Sequence, residues 1–449
     1  MARPRKNAAK VQGSLLAPDE VAEIPVEEQP YPLPEGWKWE RGNSLWKPQE
    51  TEKPTGEFFY YIDIDAVDNK QQKVISPKKI PLSQAPSRAS RKLHEGDTIF
   101  SLVRPYLRNI AYIDEDISSC IASTGFYICS PLKSVNSRFL YWLMTSDYVV
   151  LGLNKFMKGD NSPSIRKNDI ENFPFPLPPI DEQQRIVDRI ESLFAKLDEA
   201  KAKAEAVLEG FEIRKAGILH KAFTGELTVK WRAKNRVKRT SWENLTLGNV
   251  AKWGSGGTPS RKYPEYYTGD IAWVKTGELN NGYLYETEEH ITKEAIKNSN
   301  AKIFPQGTVI IAMYGATIGQ CAILEIAAAT NQACACAIVN SNTDNKFLFT
   351  YLLSQKHNFI NLGKGGAQPN ISQTILKEYP IVLPSLPEQQ EIVRILDNLL
   401  AKEQRAKEAA ETVLTQIDLM KKAILARAFR GEMGTHSSAR NSLRNNETM

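Results

Sequence analysis

The sequence predicts an α+β protein made by internal duplication: two sheet-containing domains separated by two long helices that pair as an antiparallel coiled coil, with pseudo-twofold symmetry. Three observations carry this. Residues 177–227 and 383–433 align without a gap at an offset of 206 residues, with 23 identities in 51 positions. Each copy carries an apolar stripe at alternating steps of four and three, the period of a coiled coil. Between the copies lie short β-branched runs bounded by Gly, Asn and Pro, such as residues 308–312 and 335–339, which read as strands of a substantial sheet.

In chain order, residues 1–30 form a tail, basic at first and then rich in proline and acid, with no apolar core of a secretory signal behind the basic start. Residues 31–175 are the first α+β domain. Residues 176–234 are the first helical region, with the stripe Ile186, Ile190, Leu193, Leu197, Ala200, Ala204, Val207, Phe211, Arg214, Ile218. Residues 235–380 are a second domain of similar length. The two domains share landmarks in order: Trp39 and Trp242, a Gly-Asn pair at Gly42 and Gly248, an aromatic helix after Phe139 and Phe347, and a Lys-Gly turn at Lys158 and Lys364. Residues 381–433 are the second helical region, with Ile392, Leu396, Leu399, Glu403, Ala406, Ala410, Val413, Ile417, Met420 and Ile424 on its stripe; residues 434–449 are a polar tail expected to be disordered.

Prolines mark the helix starts (Pro178, Pro179, Pro384, Pro387), and Gly225 and Gly431 mark the ends. No proline or glycine interrupts residues 388–430, enough for a helix of roughly 65 Å at 1.5 Å per residue. Gly210 and Gly217 predict a bend in the first copy. Alanines at the centre of each stripe let two antiparallel helices approach closely; the other reading is that each helix packs on its neighbouring domain.

Composition bounds the function. No apolar run of about 18 residues exists to span a membrane. Five cysteines without a CxxC pair fit a reducing cytoplasm, with Cys334 and Cys336 as alternate positions of a strand. The net charge is only +6, from 58 basic and 52 acidic residues, so nucleic-acid contact must come from local patches.

Several stretches together are specific. The second domain contains GSGGTPSRKYPEYYTGDIAWVKTGEL (254–279), FPQGTVIIAMYGATIGQCAIL (304–324) and AATNQACACAIV (328–339), and the first contains HEGDTIFSLVRPYLRNIAYI (94–113). With LPPIDEQQ and LPSLPEQQ at the helix starts and KAFTGEL and RAFRGEM at their ends, the chain resembles a specificity subunit of type I restriction–modification systems over roughly residues 31–433. The resemblance implies two target-recognition domains, each reading one half of a split, asymmetric double-stranded DNA target, and a cytoplasmic complex. It implies two modification subunits that methylate adenine N6 with S-adenosylmethionine and two restriction subunits that translocate and cleave DNA with ATP and Mg2+. No cofactor is expected in this chain, nor a membrane partner.

Arginine can bridge O6 and N7 of guanine, glutamine can bridge N6 and N7 of adenine, and lysine more often holds phosphate. Candidates in the first domain are Arg88, Arg91, Lys92, Arg104, Arg108, Lys158, Arg166 and Lys167; in the second they are Lys252, Arg261, Lys262, Lys275, Lys364 and Gln368, interspersed with Tyr263, Tyr266, Tyr267 and Trp273. Each is read either as a DNA contact or as a solvated surface charge. Residues 230–239 (KWRAKNRVKR) hold six basic residues in ten, either a phosphate contact or a flexible basic connector.

Other motifs have simpler readings. The glycines around Gly256 and Gly365 lack GxxxxGK[ST] and read as turns. Asp63, Asp65 and Asp68 lack the glycine and glutamate of a calcium loop. No Asn/Asp-Pro-Pro-aromatic motif, ATPase loop or nuclease motif is present, so the chain is expected to be non-catalytic. This opposes a self-sufficient DNA methyltransferase, the first alternative; a coiled-coil adaptor with no DNA role is the second.

Overall fold

The computed structural model describes residues 24–363 and 370–434. The chain divides into two compact units that cut across its linear order: one holds residues up to Lys203 and from Val413 onward, the other Ala204–Thr412. Each unit therefore contains one sheet domain and part of each long helix. Among the described residues, no helix is long and apolar enough to cross a membrane.

In the first unit, strands Lys38–Arg41 and Pro174–Leu177 pair antiparallel where the domain's chain enters and leaves. Above them, strands Lys78–Pro81, Phe58–Ile62, Ile121–Ser123 and Ala89–Arg91 form one sheet in that order, and Phe126–Cys129, Thr98–Ser101 and Ile110–Tyr112 a second. The second unit repeats this topology. Glu243–Thr246 pairs with Pro380–Leu383; Glu289–Ile291, Ile271–Val274, Ala328–Thr330 and Ile303–Phe304 form the first sheet. Cys334–Val339, Val309–Ala312 and Cys321–Leu324 form the second, extended at its edges by Ala251–Ser255 and Gly282–Leu284. Cys334 and Cys336 are buried on one face of their strand, Ala335 and Ala337 on the other, so the strand is covered on both sides.

The pairing register corrects two landmarks. Lys38 opposes Leu177 and Glu243 opposes Leu383, and Leu177 and Leu383 are the same repeat position, so Trp242 corresponds to Trp37 and not to Trp39. The Gly-Asn pairs are likewise one residue out of step: the backbone N–H that bonds Phe173 O belongs to Gly42, but its counterpart bonding Tyr379 O belongs to Leu247. Identity in a short motif aligned residues that the sheet does not.

The repeated EQQ motif is explained by docking. Gln183 and Gln389 are both fully buried. The Gln183 amide donates to Pro178 O (2.9 Å) and Ser134 O (3.0 Å), while its oxygen accepts from Asn136 N (2.7 Å). Gln389 donates to Pro384 O (2.8 Å) and Asn342 O (2.9 Å) and accepts from Asp344 N (2.8 Å). Asn136 and Asp344 cap the aromatic helices Ser137–Thr145 and Asn345–Ser354 through their side chains. One glutamine thus ties the start of each long helix to the cap of the domain's own helix. Gln389→Ala is expected to lower the stability of its unit by about 2–4 kcal/mol, because buried backbone groups lose their partners; denaturant unfolding monitored by tryptophan fluorescence measures it.

The long helices are Ile180–Glu209, Phe211–Thr224 and Leu386–Phe429. The break falls at Gly210 and none falls at Gly217, which lies inside Phe211–Thr224. Arg214 spans the break, donating to Val207 O (2.9 Å) and to Glu403 (2.8 Å). In the second unit the helices run antiparallel: Phe211 lies under Lys407, Arg214 pairs with Glu403, and Arg232, farther along, meets Glu388. In the first unit Lys421 pairs with Asp198 (2.5 Å) and lies over Phe194, and Leu425, Ala428 and Phe429 join Ile186, Ile190 and the domain's Phe139 in one core.

The stripe is partly as expected. Ile186, Ile190, Ala204, Phe211, Ile392, Leu396, Ala410 and Ile417 are buried, and Leu193, Leu197, Ala200, Val207, Leu399 and Ile424 are half-buried. Ala406, Val413 and Met420 are exposed, a correction. After Leu399 the inward face steps by four twice, to Glu403 and Lys407, and continues through Ala410, Leu414, Ile417 and Lys421. A straight helix turns every 3.6 residues, so a strict 3.5 period drifts off the seam and an extra step of four restores it. The alanine-centred stripe therefore holds at Ala204 and Ala410 but not at Ala406.

Candidate nucleic-acid interface

Strand register decides which sequence candidates carry available charge. In the first domain the loop 102–109 joins Thr98–Ser101 to Ile110–Tyr112 and carries Arg104 and Arg108, both with left-handed backbone (φ 48° and 57°). Arg108 turns inward, donating to Thr145 O (2.9 Å) and pairing with Asp147, the first residue of helix Asp147–Asn154. Its charge holds that helix in place. Arg104 is exposed and donates to Asn161 O (2.9 Å).

Arg104 and Arg88 line one cleft together with Asn109, Ser123 and Ser162 and with Asp63, Asp65 and Asp68. Arg88 precedes edge strand Ala89–Arg91, and its carbonyl accepts from Thr124 N. Arg91 is half-buried, and Lys92 lies 3.5 Å from Glu52. Lys158 is exposed and shares backbone hydrogen bonds with Ser164, which also bridges Val103, so it flanks the Arg104 loop. Arg166 sits at the N-cap of helix Lys167–Glu171 with its backbone N–H donating to Asp169, and Lys167 pairs with Glu171 at 3.4 Å; both stand apart from the cleft's lining.

In the second domain Arg261 lies over the rings of Tyr267 (3.8 Å) and Trp273 (5.5 Å) and pairs with Glu289 at 2.7 Å. Lys275 bonds Glu288 (2.9 Å) and Glu289 (3.0 Å), and these bonds push its ammonium pKa up. Burial raises the Glu289 carboxyl, but hydrogen bonds from Lys275 and Arg261 outweigh it and hold the group below its ordinary value. Lys252 and Lys262 are exposed, as is Tyr263; Lys364 and Gln368 lie outside the described residues. The sequence reading missed Glu288 and Glu289, which anchor two of the candidates; the adjacent acidic pair before a short strand was the available signal.

The same cross-strand ion pair occurs in both domains with its polarity reversed. Tyr61 faces Lys78 across one edge and Ile121 across the other, as Trp273 faces Glu289 and Ala329, so Asp63 corresponds to Lys275 and Lys78 to Glu289. Asp63 and Lys78 pair at 2.6 Å, and Lys275 and Glu289 at 3.0 Å. The aspartates beside this pair are structural: Asp65 lies 3.8 Å from Lys78, and Asp68 accepts from Lys70 N and Gln71 N in a tight turn. Among the described residues no cluster of His, Cys, Asp or Glu could hold a metal.

The basic stretch 230–239 is not a flexible connector. Helix Val229–Asn235 covers its first part, and Arg232 is buried against Glu388, itself fully buried. Glu388 accepts from Arg232 (2.8 Å), Thr228 (2.7 Å) and the indole N–H of Trp242 (2.9 Å), while Arg232 also donates to Gly225 O (2.7 Å). Arg239 covers the other part of Trp242, 3.8 Å from its ring centre.

The profile of the type I restriction modification DNA specificity domain matches residues 68–209 and 240–412. The chain is 27% identical over 349 residues to the type I restriction enzyme EcoDI specificity subunit of Escherichia coli, covering 70% of this chain and 74% of that one. It is 25% identical over 291 residues to the EcoR124I/EcoR124II specificity subunit of the same species, covering 60% and 64%. The crystal structure of the HsdS subunit from Thermoanaerobacter tengcongensis superposes with a TM-score of 0.71 at 27% identity, over 90% of this chain and all of that one.

Proposed function

Because the chain belongs to the family of type I restriction–modification DNA specificity subunits, we propose that its two sheet domains read the two unlike halves of one split DNA target. It is the DNA-specificity subunit and not the catalyst. Its paired helices are the seat for two modification subunits, which bring S-adenosylmethionine and methylate adenine N6. Two restriction subunits, using ATP and Mg2+, complete the enzyme, and the assembly works in the cytoplasm. One observation carries this reading: one scaffold occurs twice in the chain, with the polarity of the ion pair at the equivalent position reversed and different cations exposed. Two equal scaffolds with unequal surfaces suit an asymmetric target. Exposed lysines such as Lys158, Lys252 and Lys262 hold phosphates and set register, while base edges are read by the better-fixed side chains.

Co-expression of the full chain with its modification subunit, followed by genome-wide mapping of N6-methyladenine, is expected to return a single bipartite motif with unlike halves. Methylation at scattered sites without a split motif would refute the reading, and methyl transfer by the purified chain alone would make it an enzyme in its own right.

A further inference from the structure

Resting on that reading, we propose that Arg104 is the side chain of the first domain that specifies a base pair, presenting its guanidinium to the O6 and N7 edge of a guanine. The loops 102–109 and 313–320 are equal in length and make matching backbone bonds: Leu102 N to Gly125 O and Met313 N to Ala333 O, then Leu107 N to Arg104 O and Ile318 N to Gly315 O. Both loops need left-handed backbone at the same two positions. In the second domain glycine occupies both, Gly315 (φ 64°) and Gly319 (φ 77°). In the first domain arginine occupies both, although a Cβ there crowds the following carbonyl.

The two arginines differ in what offsets that strain. Arg108 fastens helix Asp147–Asn154 through Thr145 O and Asp147. Arg104 makes one exposed hydrogen bond, to Asn161 O, and among the described residues no carboxylate pairs with it. Strain retained without internal return marks a functional position. The position also suits a reader: Pro105 opens the short turn after Arg104, Arg104 N bonds Pro163 O, and the side chain lines the cleft that holds Arg88, Ser123 and Ser162. Anchored by one N–H to Asn161, the planar fork keeps its other donors for a ligand and matches a bidentate base edge better than a mobile lysine would.

The test is Arg104→Gly in the full chain, which installs the residue of the sister loop. Co-expressed with the modification subunit, the variant is expected to lose the guanine requirement at one position of one half-site. Discrimination there falls about 5- to 150-fold, and the other half-site keeps its sequence. The purified variant is expected to melt above the unaltered chain, since glycine relieves the left-handed position, whereas Arg108→Gly, which loses its helix anchor, melts below it. An unchanged motif overturns the proposal. So does an unchanged motif with methylation weakened at every site, which is the behaviour of a phosphate contact. If the unaltered chain itself gives no split motif, it is the underlying reading of function that fails.

Discussion

Glu388→Ala is expected to be the most destabilising single substitution in the second unit, by about 3–5 kcal/mol, because it leaves the buried Arg232 guanidinium without a counter-charge in a site closed to water. It also strips a partner from Thr228 and from the indole of Trp242, so three buried donors lose one acceptor. For a unit of this size the loss corresponds to a fall in melting temperature of roughly 6–20 °C. The equivalent change in the first copy, Glu182→Ala, should cost less. Glu182 is as buried, but it pairs at 2.7 Å with Arg185 of its own helix, whose side chain is 42% exposed and is rehydrated once released. The measurement is thermal unfolding of the two variants side by side. Equal losses would show that the closed network around Arg232 contributes nothing special.

Replacing residues 31–175 by the corresponding domain of a relative is expected to change one half of the DNA target completely and leave the other half untouched. The physical basis is that each sheet domain closes on itself. Its entering and leaving strands pair with each other, and its core contacts the helices through its own capped aromatic helix and the glutamine behind it. The exchange leaves every residue of the second domain itself unaltered. Mapping of N6-methyladenine for the hybrid decides the matter, and a motif altered in both halves would mean that the two readers are coupled.

Much of the architecture was legible because its signals are local and periodic. The helix starts at Ile180 and Leu386, beside Pro179 and Pro387, the interruption at Gly210 and the left-handed end at Gly225 (φ 86°) all follow from residue types that restrict or free their own backbone. The register beyond Leu399 was not legible, because a helix that drifts from its seam can correct itself by an extra step of four and leaves no residue that announces it. Site residues were harder. Arg108, Arg261, Lys275 and Arg232 read as free cations in a linear string, and each acquires a carboxylate only when strands and helices distant in sequence are brought side by side. Arg104 and Arg88 stood out no more than the rest, and only the shared cleft separates them.

The reversed ion pair has a consequence for how such chains can recombine. A crossover between the two halves within the repeated helices exchanges whole domains, and both partners of each pair travel together. A crossover inside the first sheet, between the strand that ends before Asp63 or Lys275 and the strand that carries Lys78 or Glu289, joins Asp63 to Glu289 or Lys275 to Lys78. Two like charges then face each other across neighbouring strands, which destabilises the pairing. Viable hybrids should accordingly have their junctions in the helices.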